Sequence, residues 1–354
     1  MKILFLYSRL NGFVISTLKA LSANNNVDAI TVVHRDDSSN GNQFQTEAVD
    51  KVTFLQRQDL NYYQLIHLMR KFQPDIVYLS GWVDATYLAV TYGYRQKNNC
   101  LTVVGIDDQW RNTFRQIIGS IFYKLVFRYR IFDYMWVAGP RQYYYARRFG
   151  HNDSNIIFNL LSADTEIFNK CTTEFNKRFV YVGRFDECKG ILELIEAYKA
   201  LPAEVREDWR LTLIGAGGLS KVINDQIVCE KNIDIIGFCQ PSDLKEELST
   251  GGVGCLVSSF EQWGVSLHEY ACMGMPIIAT KNVGSASEFV IDGFNGVILD
   301  DNRASSVNEA LTLIASLSQD QCKKMSKASS ILSNKINPEH SAMSLLSITK
   351  KVNI

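Results

Sequence analysis

Short runs of apolar residues alternate along this 354-residue chain with longer stretches in which apolar side chains return every three or four positions. A short apolar run rich in β-branched residues suits a strand buried on both faces, and the three-to-four spacing suits a helix with one apolar side. In the first half this pattern predicts strands over 2–7, 27–33, 52–55, 76–79, 101–105, 134–137 and 155–158, with helices near 13–23, 61–72, 84–97, 113–132 and 140–148. The second half repeats it, with strands over 179–182, 211–214, 233–236, 254–257, 277–279 and 296–299 and helices near 190–200, 219–230, 241–249, 264–274, 303–317 and 320–333. Strand and helix in strict alternation build a parallel sheet wrapped by helices. Two such series predict two Rossmann-like, doubly wound α/β domains facing each other across a cleft.

The length agrees, since one core rarely serves more than about 250–300 residues. The stretch 162–177 lacks periodicity and carries Asp, Thr and Asn, which places the joint there. The expected division is a first domain over 1–165, a second over 166–335, and a closing segment 336–354 whose helix near 340–350 packs back on the first domain. The polar run Asp36-Asp-Ser-Ser-Asn-Gly-Asn42 reads as a surface loop.

Charge and composition narrow the function classes. Thirty-seven basic residues balance 37 acidic ones, and the chain is 46% hydrophobic, so net charge points to no partner. The eight cysteines are scattered without a Cys-x-x-Cys pair, and the opening Met-Lys-Ile-Leu-Phe-Leu-Tyr reads without a leader. Reduced thiols in the cytoplasm are the expectation. No stretch approaches the ~20 apolar residues of a membrane-spanning helix.

Candidate chemistry is sought in the loops that follow strands, because ligands of open α/β sheets sit beyond the carboxyl ends of the strands. After the strand ending near Val257 comes Ser258-Ser-Phe-Glu-Gln-Trp-Gly-Val-Ser-Leu-His-Glu269. Glu261 falls on the loop and Glu269 inside the following helix. Between them Gly264, Val265 and Ser266 offer the amide groups of a helix start, which suit phosphate. Ionised carboxylates are strong acceptors for sugar hydroxyls. The spacing alone equally suits two solvated glutamates that complement the helix dipole. A second strand-to-helix loop, Tyr181-Val-Gly-Arg-Phe-Asp-Glu-Cys-Lys-Gly190, is bracketed by Arg184 and Lys189, a planar fork and a point charge suited to a diphosphate, with Gly183 and Gly190 letting the backbone turn at each end.

Gly183-Arg184-Phe185 with Lys189-Gly190, the Glu261-x7-Glu269 pair, Met273-Gly-Met-Pro-Ile-Ile-Ala-Thr280 and Gly284-Ser-Ala-Ser-Glu288 together resemble the retaining GT-B glycosyltransferases of family 4. The likeness covers most of 155–335 and the first half in outline, through Lys71-Phe-Gln-Pro-Asp-Ile-Val77. It implies that Arg184 and Lys189 bind the donor diphosphate, that Glu261 contacts the transferred sugar, and that Glu269 binds the ribose. The amides of Gly264, Val265 and Ser266 would reach the phosphates, and Gly12 would approach them from the first domain. Gly215 and the turn at Gly237–Phe238 would line the nucleotide. The implied donor is a UDP-sugar or GDP-sugar, with no cofactor and no metal: Asp-x-Asp does not occur in the chain.

Two departures from the family stand out. Arg9-Leu-Asn-Gly12 carries one glycine where the family often has two, and Asp107 and Asp108 follow the strand after which many members place a histidine. Asp107 is the candidate for acceptor binding or proton transfer, with Asp108, Trp110 and Arg111 on the acceptor side; a plain polar strand end fits as well. His268 reads as a helix residue packing behind the site.

From Arg111 to Arg148 eight basic residues face one acid, Asp133, and bulky apolar residues interleave with them. The apolar stripe Phe114, Ile117, Ile118, Ile121, Phe122, Leu125, Val126, Phe127 reads, for most of its residues, as the core face of a domain helix. The excess of arginine beside Phe and Tyr also suits a surface resting on anionic lipid at the inner face of the cytoplasmic membrane, where lipid-linked saccharide acceptors lie. No nucleic-acid motif accompanies it. The leading expectation is a glycosyltransferase of envelope polysaccharide synthesis. Its competitors are a sugar-nucleotide epimerase of the same architecture, a non-catalytic sugar-nucleotide-binding subunit and, last, an NAD-dependent dehydrogenase, which lacks its Gly-x-Gly-x-x-Gly here.

Overall fold

The computed structural model describes residues 1–35, 47–128, 130–169 and 175–350. The polar run 36–42 lies outside the described residues, as do 170–174 of the expected joint. The chain forms two compact units, Met1–Ser162 together with the chain from Pro338 onward, and Ala163–Asn337.

In the first unit the elements run β1 (Lys2–Leu6), α1 (Gly12–Ser22), β2 (Ala29–His34), β3 (Val52–Gln56), α2 (Tyr62–Phe72), β4 (Ile76–Leu79), α3 (Ala85–Arg95), β5 (Leu101–Ile106), α4 (Phe114–Val126), β6 (Tyr134–Val137), α5 (Pro140–Arg148) and β7 (Ile156–Ile157). All seven strands pair in parallel, in the order β3-β2-β1-β4-β5-β6-β7. The inner strands β4 and β6 are buried at every position, as helices on both faces require. Side chains start the helices: Asn11 caps α1 and Asp84 caps α3, each accepting from first-turn amides.

The second unit continues with β8 (Arg178–Val182), α6 (Ile191–Lys199), α7 (Ala203–Asp208), β9 (Arg210–Ile214), α8 (Ser220–Ile227), β10 (Ile233–Ile236), α9 (Pro241–Ser249), β11 (Val253–Leu256), α10 (Val265–Cys272), β12 (Ile277–Thr280), α11 (Ala286–Phe289), β13 (Gly296–Leu299), α12 (Ala304–Ser316) and α13 (Gln319–Ser333). Its parallel sheet has the order β10-β9-β8-β11-β12-β13. Both sheets thus start in the middle, wind outward one way, and then return to wind the other way, the doubly wound Rossmann order. The last helix, α14 (Pro338–Lys350), packs on α1.

Helix α4 overturns one reading of the apolar pattern. Most of the stripe expected to face the core is exposed: Phe114 is 78% and Leu125 71% accessible, and Ile117, Ile118, Ile121 and Phe122 are exposed as well, while Val126 and Phe127 at its end are partly buried and Phe127 packs on the core. The buried positions are instead Gln116, Ser120 and Tyr123. The reason is local polarity. Gln116 donates from Nε2 to the Gln109 carbonyl at 2.8 Å and accepts from the Arg111 amide at 2.7 Å, so its side chain closes the turn before the helix. Tyr123 sits within a ring cluster of Trp82, Phe132 and Phe149, with its hydroxyl 2.9 Å from Nε2 of His151. Anchoring that face leaves the apolar one outside. Among the described residues no helix is long and apolar enough to cross a membrane.

Candidate functional site

Four neighbouring strands of the second unit, in the order β10-β9-β8-β11, end side by side. The loop after each carries residues singled out from the sequence. Gly237 and Phe238 follow β10, Gly215 follows β9, Gly183, Arg184 and Lys189 follow β8, and Glu261 with Gly264, Val265, Ser266 and Glu269 follows β11. The strand order reverses between β8 and β11, where ligands of such sheets gather.

Backbone contact sets the spacing of these loops. Gly215 has φ +137°, and a Cβ there would lie 2.0 Å from the Gly183 carbonyl oxygen, so no side chain is admitted. The Gly183 amide donates to the Ile214 carbonyl at 3.1 Å and the Phe185 amide to the Ala216 carbonyl at 3.0 Å. From beneath, the Tyr181 hydroxyl donates to the Arg184 carbonyl at 2.7 Å. On the other side the Ser259 amide donates to the Cys188 carbonyl at 3.0 Å, tying the β8 loop to the β11 loop. The turn after β12 closes the row: the Gly284 amide donates to the Glu261 carbonyl at 3.1 Å, and the Glu261 amide to the Asn282 carbonyl at 3.3 Å.

Within this frame Lys189 and Glu261 form an ion pair, with side chains only 14% and 13% exposed. A pair that sheltered is less screened than one on the open surface. Arg184 differs: it is exposed and lies 3.0 Å from Asp186 on its own loop. The two cations expected to share one role therefore occupy unlike environments. Lys189 is fixed against a carboxylate, and Arg184 reaches into solvent.

Gly264 begins α10 at φ +87°, where a Cβ would press at 3.0 Å on Glu261, Leu256 and Val283 at once. The Ser285 hydroxyl donates to the Gly264 carbonyl at 2.8 Å and its amide to the Trp263 carbonyl at 2.8 Å. The amides at a helix start have no partner within the helix, so those of Val265 and Ser266 form a donor cluster beside Glu261. Glu269 lies on the second turn. Part of the residue reaches solvent, but its carboxyl sits deep among protein atoms, and burial pushes its pKa up to about 7. The Val182 amide donates to the Tyr270 hydroxyl at 2.6 Å, which fixes α10 against β8.

His268, beside Glu269, is fully buried. Its Nδ1 accepts from the Ala163 amide at 2.8 Å, so Nε2 carries the proton and donates to the Ser333 carbonyl at 3.0 Å. The ring stacks on Phe289 at 4.1 Å, and burial lowers its pKa to about 4. It is a neutral strut with both nitrogens engaged.

In the first unit Gly12 opens α1, following the carboxyl end of β1. Asp107 is exposed just past β5. Asp108 accepts from the Gln109 amide at 2.9 Å and from Gln116 Nε2 at 3.3 Å, holding the turn. Trp110 packs edge-on against Tyr145 and carries the Arg148 guanidinium 4.5 Å over its ring. Arg111 is exposed. Among the described residues no group of three His, Cys, Asp or Glu is placed to hold a metal ion. Sequence reading did not single out Tyr181, Tyr270, Asn282 or Ser285 as site residues. Ser285 lies inside the quoted Gly284–Glu288 motif, whereas the tyrosines act from strand and helix interiors, where nothing in sequence marks them.

Two family models match this chain: Glycosyl transferases group 1 over residues 164–330 and Glycosyl transferase 4-like over residues 2–126. The chain belongs to the group 1, family 4-like glycosyltransferases. An uncharacterized glycosyltransferase of Methanocaldococcus jannaschii, MJ1069, is 31% identical over 145 residues, 38% of this chain and 35% of that protein. The Escherichia coli O-antigen chain mannosyltransferase B is 27% identical over 153 residues, 42% of this chain and 39% of that one. The matches to these curated relatives thus span well under half of their length. Among solved structures, Anabaena Alr3699/HepE in complex with UDP superposes with TM-score 0.74 at 17% identity, over 99% of this chain and 100% of that chain. WaaG, a glycosyltransferase involved in lipopolysaccharide biosynthesis, does so with TM-score 0.68 at 14% identity, over 98% and 99%. At such identities the superpositions establish the fold, which is GT-B.

Proposed function

We propose that this protein transfers a sugar, with retention of configuration, from a nucleoside diphosphate-sugar bound by the second unit to a saccharide acceptor bound by the first. The observation that carries the reading is the row of loops at the ends of β10, β9, β8 and β11, which gathers two cations, two carboxylates and a helix start. As the glycosidic bond breaks, negative charge builds on the leaving diphosphate. Lys189, Arg184 and the amides of Val265 and Ser266 are donors suited to meeting it, and fixed donors aimed at developing charge supply the largest share of such catalysis. Diphosphate oxygens can share the Lys189 ammonium and leave Glu261 to accept from hydroxyls of the transferred sugar. Glu269, deeper in the row, accepts from the ribose, while Gly215, Gly237 and Phe238 line the base side. Gly12 approaches the diphosphate from the first unit, and Asp107 serves the acceptor hydroxyl.

HepE has been solved with UDP and with UDP-glucose, which favours a UDP-sugar over a GDP-sugar here. A thermal-shift screen with UDP, GDP, ADP and their sugars tests the donor assignment, because a bound ligand stabilises by mass action. A shift of several degrees with uridine diphosphate is expected, and no shift with any of them refutes the proposal. Proton NMR of the product reads whether the anomeric configuration is retained. Donor incubated alone should yield no epimer.

The same reading gives the acceptor a lipid anchor and the protein a peripheral seat on an anionic membrane. Its support is the outward apolar face of α4, flanked by exposed Arg111, Arg115, Lys124 and Arg130. Leaving a large apolar side chain in water forgoes about 1.5–3 kcal/mol, which contact with lipid would recover.

A further inference from the structure

The first unit holds a cavity of about 250 Å³ beyond the carboxyl ends of three adjacent strands, β2, β1 and β4. It flanks the point between β1 and β4 where the strand order reverses, the position at which open sheets take ligands. Its polar lining comes from the turns just after those strands: Ser8 and Arg9 after β1, Arg35 after β2, and Ser80 and Asp84 after β4. Arg9 stands in the Arg9-Leu-Asn-Gly12 loop noted in the sequence for its single glycine, and the other four carry no sequence signal.

Among the described residues that line the cavity, two arginines accompany one acid, and that acid is already engaged. Asp84 accepts from the amides of Thr86 and Tyr87 at 2.9 and 3.1 Å as the cap of α3. Its other oxygen lies 2.6 Å from Arg35 and 3.4 Å from Arg57. Arg57 itself also donates to the Leu60 carbonyl at 2.6 Å. The carboxylate is therefore more than neutralised and acts as a brace that orients guanidinium groups. Arg35 keeps 59% of its side chain accessible, so its remaining donors can serve a ligand. The Ser8 amide donates to the Ser80 hydroxyl at 2.9 Å, joining the β1 and β4 turns into one wall.

We propose that this cavity binds an oxyanion, a phosphate or carboxylate carried on the acceptor saccharide, with Arg35 and Arg9 as its recognition groups. The planar guanidinium fork matches both oxyanions in bidentate fashion, which a neutral sugar ring cannot exploit. The volume lies near the small end of ligand pockets, about 300 Å³ upward, and so suits one terminal sugar unit. That the ligand is an acceptor rests on the glycosyltransferase reading; that it is anionic rests on the cavity alone.

Calorimetric titration of the full-length protein with glucuronate, glucose 6-phosphate and glucose tests the assignment, the first two arms separating carboxylate from phosphate. At least one anionic sugar should bind about tenfold or more tightly than glucose, since charge-assisted hydrogen bonds carry that much. Raising salt should weaken that preference. Arg35→Gln and Arg9→Gln should each reduce it about tenfold, with Arg35→Lys restoring part, while Arg184→Ala in the other unit leaves it in place. Equal binding of all three sugars overturns the assignment. So does a preference that follows Arg184, or an Arg35→Gln variant that loses UDP instead of the anionic sugar. UDP titrated into the same preparations reads the donor proposal separately: nucleotide binding without anion preference sinks only the cavity, and anion preference without nucleotide binding sinks only the donor reading.

Discussion

Replacing Glu269 by glutamine separates what the folded state needs from what the proposed donor needs. Burial raises this carboxyl from its ordinary 4.5 to about 7, so the folded protein holds a proton there that the unfolded chain releases. Between pH 4.5 and 7 the folded state binds more protons than the unfolded one, and stability falls as pH rises. At about 1.4 kcal/mol per pH unit the cost accumulates to about 3 kcal/mol, is fully present above pH 7, and vanishes below 4.5. Glu269→Gln removes that cost without changing shape. At pH 8 the second unit should gain about 3 kcal/mol, and the gain should shrink toward zero at pH 4.5. For a unit of this size each kcal/mol raises the melting temperature by about 2–4 °C. The same change should weaken UDP about tenfold, because the ribose loses a charged acceptor. Urea unfolding of both proteins from pH 4.5 to 8, followed through the second unit's tryptophans, supplies the assay. A stability difference independent of pH, or a variant less stable than its parent at pH 8, refutes the reasoning. Unchanged UDP affinity beside the expected stability gain refutes only the ribose role.

Gly215→Ala forces a Cβ to 2.0 Å from the Gly183 carbonyl at a backbone angle alanine avoids, so a loss of roughly 1–3 kcal/mol in urea unfolding, with UDP binding reduced in parallel, is expected. In a double-mutant cycle, Lys189→Ala and Glu261→Gln should be less than additive by about 1–2 kcal/mol; additivity would mean that the sheltered pair contributes nothing as a pair. Phe114→Glu with Leu125→Glu, both at exposed positions, should leave the melting temperature unchanged and abolish sedimentation with phosphatidylglycerol vesicles, whereas retained sedimentation removes α4 from the membrane reading. His268→Ala should destabilise the second unit more at pH 8 than at pH 5, by about 2 kcal/mol, because burial keeps the folded imidazole neutral down to about pH 4 while the unfolded chain protonates it below 6.5; a loss independent of pH would show that the folded imidazole titrates as it does in the unfolded chain.

The sequence by itself determined the alternation of elements, and with it the fold class, because parallel strands buried on both faces need uninterrupted apolar runs and their crossovers need helical spacing. It also marked the loops after β8 and β11, where glycine, cations and carboxylates cluster within a few residues. Tertiary structure decided what those residues do to one another. Lys189 and Glu261 are 72 positions apart, and only the adjacency of β8 and β11 brings them together as an ion pair. Glu269 owes its raised pKa to the atoms packed around it, a property that spacing does not carry. The sharpest divergence is α4. Its periodicity correctly predicted a helix, but periodicity states only that one side is apolar. Which side turns inward was settled by Gln116 and Tyr123, whose hydrogen-bond and ring partners lie elsewhere in the chain. The cavity lined by Arg9 and Arg35 was invisible for the same reason: three separate strand ends build it, and their order in the sheet exists only once the chain has folded.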